Sequence, residues 1–240
     1  VVGSAANNLG MQNGGWTVEW QGYFTPDFHF LDDNDDGQIS ESEYLTQIPM
    51  VYGSKFDLAL WSGVYAGLDT NSDKLLSSDE YAMIKTNLPF QPEGTSILHG
   101  LEKLGTPKQI TYNPNASVLP SGQTIVAVVG EYPYAEGYGD DPALQLNAFD
   151  TLVLERAFAS GNKVIVVLVS GRPLHMDAHL EQADGVVAAF WPGMAGEGVA
   201  DVLYGDFNPT ARLSFTWYKD LGLDDTKKAV LYDFGAGLSY

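Results

Sequence analysis

The 240-residue sequence contains no cysteine. Disulfides, thiolate catalysis and cysteine-ligated zinc are thereby excluded, while the compartment stays open. Basic residues are scarce: 12 Lys and Arg face 31 Asp and Glu, for a formal charge of −19. That balance argues against nucleic acid or an anionic membrane as partners. Long hydrophobic runs are missing too. Those that occur, such as Val164 to Val169, have the length of a strand and cannot cross a bilayer as a helix. No P-loop or G-x-S-x-G spacing occurs, and Gly3 to Gly10 lacks the G-x-G-x-x-G of a dinucleotide fold. Nucleotide and serine-hydrolase chemistry therefore have no sequence support.

What is present suffices to fold. Hydrophobic residues make up 45% and aromatics 12%, which rules out disorder as the general state. The length allows one large domain or two small ones.

Much of the negative charge is concentrated in two short stretches. In the first, Asp32, Asn34 and Asp36 stand at positions 1, 3 and 5 of a twelve-residue loop. Gly37 is at 6, Gln38 at 7, Ser40 at 9 and Glu43 at 12. Alternating oxygens on a tight turn, closed by a glutamate, fit the EF-hand pattern for a hard cation with six to eight oxygen ligands. The second stretch repeats it with Asp69, Asn71, Asp73, Leu75 (through its carbonyl), Ser77 and Glu80. Ile39 and Leu76 share position 8 and should pair as short strands. Lys74 replaces the turn glycine, which forces a side-chain-bearing residue toward positive φ and sets a positive charge beside the site. One or two structural Ca2+ ions are expected, the second held more weakly. Leu58, Leu60, Val64, Tyr65 and Leu68 approach the second loop at near-helical spacing.

The rest of the chain has another texture. Continuous apolar runs at 124–129, 164–169 and 185–190 alternate with helical patterns at 95–104, 144–160, 177–182 and 198–204. This rhythm predicts an α/β fold, a mostly parallel sheet with helices on both faces. Val1-Val2-Gly3-Ser4 reads as the end of a buried strand that begins upstream, so the chain is expected to be a piece of a longer polypeptide. Deleting 23–93 would join that strand to the helix starting near Gly94. The expected organisation is therefore an α/β-sandwich domain, 1–22 and 94–240, with an inserted all-α EF-hand pair, 23–93. No signal peptide pattern is visible. Asn115-Ala116-Ser117 is a formal glycosylation sequon. His175 and His179 have i,i+4 spacing without an accompanying acidic pattern and are read as incidental.

Several motifs resemble one known family. Gly14-Gly15-Trp16-Thr17-Val18-Glu19-Trp20-Gln21-Gly22 is similar to the GGWT-x-x-WQG motif of glycoside hydrolase family 3, of the β-glucosidase and exo-β-glucanase type. Val129-Gly130-Glu131-Tyr132-Pro133-Tyr134-Ala135-Glu136-Gly137-Tyr138-Gly139-Asp140 resembles its acid/base loop. Ser170-Gly171-Arg172-Pro173-Leu174, Trp191-Pro192-Gly193, Gly196-Glu197-Gly198 and Phe234-Gly235-Ala236-Gly237-Leu238-Ser239-Tyr240 follow in the family's order.

The resemblance implies the second, α/β-sandwich domain of an enzyme whose N-terminal (β/α)8 barrel carries the nucleophile. It implies retaining hydrolysis of terminal β-D-glucosyl residues from a β-glucan or β-glucoside. Glu136 is the implied acid/base and Trp20 one wall of the sugar slot. Trp16 is a second substrate-side candidate or an anchor of its loop. Glu131 and Arg172 are read as structural. A retaining pair needs two carboxyl groups about 5–5.5 Å apart, so the chain alone is expected to be inactive. Family and acidity imply a secreted or periplasmic protein. The rival reading is a non-catalytic, calcium-dependent carbohydrate-binding or assembly module.

Overall fold

A computed structural model gives the fold and describes residues 1–14, 28–52, 58–86, 94–105, 110–134, 139–219 and 229–240. Helix α1 (Leu9–Asn13) comes first, then α2 (Phe28–Leu31), β1 (Ile39–Ser40), α3 (Glu41–Tyr52), α4 (Leu58–Leu68), β2 (Leu75–Leu76) and α5 (Ser78–Thr86). Helices and strands then alternate as α6 (Ile97–Leu104), β3 (Thr124–Gly130), α7 (Ala148–Ala159), β4 (Lys163–Val169), α8 (Asp177–Leu180), β5 (Gly185–Ala188) and α9 (Glu197–Tyr204). A short antiparallel pair, β6 (Trp217–Tyr218) with β7 (Val230–Tyr232), ends the order. Among the described residues no helix is long and apolar enough to cross a membrane.

The main sheet has the order β3-β4-β5, all parallel. Val2 extends it on the β3 side: its amide donates to Val126 O at 3.0 Å, and the Val128 amide donates to Val2 O at 2.9 Å. Neighbouring residues of a strand point to opposite faces, yet Ala127 with Val128 and Val166 with Val167 are all fully buried. Both faces of these strands are therefore covered, which explains the unbroken apolar runs. Each buried Val or Leu contributes roughly 1.5–3 kcal/mol by leaving water.

Asp150, in the first turn of α7, ties the upper ends of this sheet together. Its carboxylate is 0% exposed. It accepts from the Ser4 amide at 3.0 Å, the Ser4 hydroxyl at 2.7 Å, the Gly130 amide at 3.0 Å and Asn147 Nδ2 at 3.2 Å. Asn147 returns the bond by accepting from the Asp150 amide at 2.8 Å, a reciprocal cap on the helix start. Burial pushes the Asp150 carboxyl up, against the pull of these hydrogen bonds.

The helical region between Phe28 and Thr86 rests on the same helix. Phe30 and Phe149 are both 2% exposed, with ring centroids 4.0 Å apart. The Ser117 hydroxyl donates to Asp35 at 3.0 Å, a second link between the regions. Residues either side of the helical region meet each other: the Leu98 amide donates to Ala6 O at 2.8 Å, and the Ser96 hydroxyl to Asn7 Oδ1 at 2.9 Å.

Some expectations shift. The glycine-rich opening contains a helical turn, α1, because Asn8 caps it by accepting from the Met11 amide. Helix α7 starts at Ala148 rather than near 144: Leu144 has φ +49° and Asn147 is the cap. Strand β5 stops at Ala188, before Phe190 at φ +52°. His175 precedes α8, so it and His179 share no helix face. The sequon residue Asn115 is 1% exposed, which leaves no room for a glycan in this fold. The antiparallel pair β6-β7 was not expected at all.

Candidate active-site edge and the paired acidic loops

The two acidic loops fold alike, position for position. In the first, the Asp36 amide donates to Asp32 Oδ1 at 3.1 Å and Asn34 Oδ1 at 2.8 Å. The Gly37 amide donates to Asp32 Oδ2 at 2.9 Å, and the Gln38 amide to Asp36 Oδ1 at 2.9 Å. In the second, the Asp73 amide donates to Asp69 Oδ1 at 3.2 Å and Asn71 Oδ1 at 2.8 Å. The Lys74 amide donates to Asp69 Oδ2 at 3.0 Å, and the Leu75 amide to Asp73 Oδ1 at 2.8 Å. Positions 4 and 6 have positive φ in both loops: Asp35 and Gly37, then Ser72 and Lys74 at +67°. Ile39 pairs with Leu76 antiparallel, joining the loops at position 8. Tyr65 OH reaches the carbonyls of both loops, Ile39 O at 3.1 Å and Lys74 O at 2.8 Å.

Each loop closes on a capping box. Ser40 accepts from the Glu43 amide, and Glu43 accepts from the Ser40 amide at 2.8 Å. Ser77 and Glu80 repeat the exchange, with the Ser77 amide 3.1 Å from the carboxylate. Bonds from the Ser77 amide and hydroxyl, then from Thr70 and Asn71, hold the Glu80 carboxyl down at about 2. Asp32, at 1% exposure, is pushed up by burial and by the nearby charges of Asp36 and Glu43. All the candidate ligands are oxygen donors, the type a hard cation takes. Among the described residues no three His, Asp or Glu side chains already converge on one point.

The other candidate site is the carboxyl ends of the parallel strands, where α/β sheets place their chemistry. Trp16, Trp20 and Glu136 lie outside the described residues. Their flanks do not. Gly14 closes α1 at φ +60°, and a Cβ there would overlap the Trp191 indole. The same indole meets the Tyr134 ring edge-on, with centroids 5.1 Å apart. The residues that precede these two stretches, Gly14 and Tyr134, thus both contact one tryptophan. Sequence reasoning quoted Trp191-Pro192-Gly193 among the family's motifs but assigned Trp191 no role in the site.

Glu131 and Arg172 form an ion pair here, with Nη2 to Oε1 at 2.7 Å and Nε to Oε1 at 3.0 Å. Ser170 Oγ donates to the other carboxylate oxygen at 2.6 Å, and Tyr134 OH at 3.0 Å. Burial, and then the charge of Glu131, push the Tyr134 phenol up, so it stays a donor.

Comparison with known proteins agrees with the fold. The family model of the glycosyl hydrolase family 3 C-terminal domain matches residues 1–240. A lysosomal beta glucosidase of Dictyostelium discoideum is 30% identical over 179 residues, 62% of this chain and 22% of that protein. A beta-xylosidase of Formosa agariphila is 30% identical over 185 residues, 62% of this chain and 26% of that protein. The crystal structure of an exo-1,3/1,4-beta-glucanase from a Pseudoalteromonas species is 28% identical with a TM-score of 0.62. It covers 99% of this chain, which spans 24% of it. The α/β core with its parallel sheet, the ordered strand-end motifs and the match along the whole length place the chain in the glycosyl hydrolase family 3 C-terminal domain family.

Proposed function

We propose that this chain is the acid/base-bearing domain of a retaining, exo-acting β-glucosidase or exo-β-glucanase. The carrying observation is that the flanks of two motifs, Gly14 and Tyr134, meet on Trp191 at the carboxyl edge of the sheet. Trp20 and Glu136, the sugar-slot wall and the acid/base by resemblance, follow those flanks in the sequence. In this reading Glu136 protonates the departing glycosidic oxygen and then, as a base, activates water against the glycosyl enzyme. The nucleophile belongs to a barrel elsewhere in the same polypeptide, which also supplies the rest of the β-glucoside site. Glu131 is unsuited to the acid role, because both its oxygens are engaged by Arg172, Ser170 and Tyr134.

The test is hydrolysis of glucosides by the full-length natural protein and its Glu136→Ala variant, with azide present. Collapse on substrates with poor leaving groups, with azide restoring turnover as a β-glycosyl azide, is the expected result. Parent-like rates on those substrates would overturn the assignment.

The same reading takes residues 23–93 as an inserted EF-hand pair. Its supports are the matching loop geometry and the hydrogen bonds from Leu98 to Ala6 and from Ser96 to Asn7, which let the chain leave and return at one place. Asp32, Asn34, Asp36, Gln38, Ser40 and Glu43 would hold one Ca2+, and Asp69, Asn71, Asp73, Leu75, Ser77 and Glu80 another. The ion would supply structure, relieving the crowded charges around Asp32. Glu43 and Glu80 would exchange their capping bonds for the metal. Calcium chelation should lower the melting temperature and weaken sugar binding; if neither moves, the calcium reading falls. A secreted or periplasmic location belongs to this proposal and rests on family and acidity.

A further inference from the structure

We propose that Arg172, oriented by Glu131, is a positioning residue for the general acid: it grips both residues that flank 135–138 and so fixes where that stretch begins and ends. This rests on the reading of Glu136 as the acid.

The ion pair alone does not explain the geometry of Arg172. Two of its nitrogens engage Glu131 Oε1, at 2.7 and 3.0 Å. The third, Nη1, donates to Gly139 O at 2.7 Å. The guanidinium plane lies over the Tyr134 ring, 4.3 Å from its centroid. A Cβ on Gly139 would in turn overlap that ring. Tyr134 and Gly139 are thus pressed together, and one cation touches both.

Every other contact restrains this cation or the ring beneath it. Glu131, 8% exposed, accepts from Ser170 and Tyr134 on its second oxygen, which fixes the carboxylate that aims the guanidinium. Trp191 packs edge-on against the Tyr134 ring. Lysine at 172 could keep the charge but not the planar fork or the stacking.

A general acid contributes about 10²–10⁴ to the rate, and a displacement of about 1 Å can cost about 10². Loss of the clamp should therefore appear only where the leaving group needs a proton. The experiment measures kcat for the full-length natural protein and for Arg172→Lys, Gly139→Ala and Glu136→Ala. One substrate is an alkyl glucoside, the other a dinitrophenyl glucoside whose leaving group departs unprotonated. Circular dichroism confirms folding.

Arg172→Lys should lose about 10–100-fold on the alkyl glucoside and less than about threefold on the activated one. Azide should rescue Glu136→Ala and not Arg172→Lys, which still carries the carboxylate. Gly139→Ala leaves the ion pair intact but sets a methyl against Tyr134, and should show the same selective loss. It decides the matter if Arg172→Lys fails to fold. Equal losses on both substrates, or none on either, would reduce Arg172 to a structural ion pair and overturn the proposal. If Glu136→Ala hydrolyses the alkyl glucoside like the parent while the clamp variants lose it selectively, the clamp stands and the Glu136 assignment falls.

Discussion

In the paired acidic loops, side chains bond to amides a few residues away. Asp36 reaches back four residues to Asp32, and the longest such link, Thr70 to Glu80, spans ten. At the carboxyl edge of the sheet the spans are of another order: 39 residues from Glu131 to Ser170, 41 to Arg172 and 146 from Ser4 to Asp150. The difference is one of folding logic. A loop whose bonds are local closes little chain and can take its shape wherever its ends are held. The sheet edge exists only once distant segments have assembled. The geometry of an acidic loop can thus travel with its own short segment, whereas the geometry around Tyr134 belongs to the complete sheet.

The largest effect that would break this contrast is removal of Asp150. Asp150→Ala leaves the Ser4 amide and hydroxyl and the Gly130 amide buried without their acceptor. Each orphaned group costs about 1–3 kcal/mol, so a loss of about 3 kcal/mol or more is expected in urea unfolding. A loss below about 1 kcal/mol would mean the edge is held by other means. The parent should also carry a pH signature. Burial raises the Asp150 carboxyl in the fold. Between its ordinary value and the raised one, the folded chain holds more protons than the unfolded one. Stability contributed by this group is therefore full below the ordinary carboxylate range and is lost as pH rises through the raised value. Asp150→Asn should flatten that slope.

A second substitution sharpens the contrast by separating the regions. Phe30 and Phe149 join them through two buried rings. Phe30→Ala should cost about 3–5 kcal/mol. A cycle with Phe149→Ala should return a coupling of about 0.5–1.5 kcal/mol. Because the loop bonds are local, calcium affinity measured by titration should change less than about threefold in the same variant. A collapse of affinity would show that the loops depend on their docking.

The two regions also differed in what the sequence disclosed. Loop positions 1, 3, 5, 9 and 12, the pairing of Ile39 with Leu76 and the positive φ of Lys74 could all be read directly. Each follows from positions within one loop or from the repetition of that loop. The buried strands β3 and β4 were legible because a run covered on both faces has no polar interruptions. The contacts of Trp191 and Asp150 were not legible, for the opposite reason. Nothing near Asp150 in sequence announces Ser4 as its donor, and nothing near Trp191 announces Gly14. Helix α1 hid inside a glycine-rich stretch because its single turn carries no repeating apolar face. The short pair β6-β7 depends on a register between residues more than ten apart.

The subtlest test lies within the acidic region, between loops whose turn hydrogen bonds closely match in length. They differ at position 6. Gly37 holds φ +84° without strain, while Lys74 holds +67° with a side chain attached. A residue with a Cβ in this region costs about 1 kcal/mol. The strain persists because the Lys74 amide must reach Asp69 Oδ2, at 3.0 Å, for the turn to close. Lys74→Gly should therefore keep every backbone bond and release the strain, and it also removes a positive charge beside the candidate cation site. Calcium binding to the second loop should tighten about fivefold, the equivalent of about 1 kcal/mol, with the first loop unaffected. Gly37→Lys should do the reverse to the first loop. If Lys74→Gly leaves the affinity unchanged, the strain is the same with and without the ion. A difference in affinity between the loops would then trace to Ser72 and Thr70, the non-acidic residues where the first loop has Asp35 and Asp33.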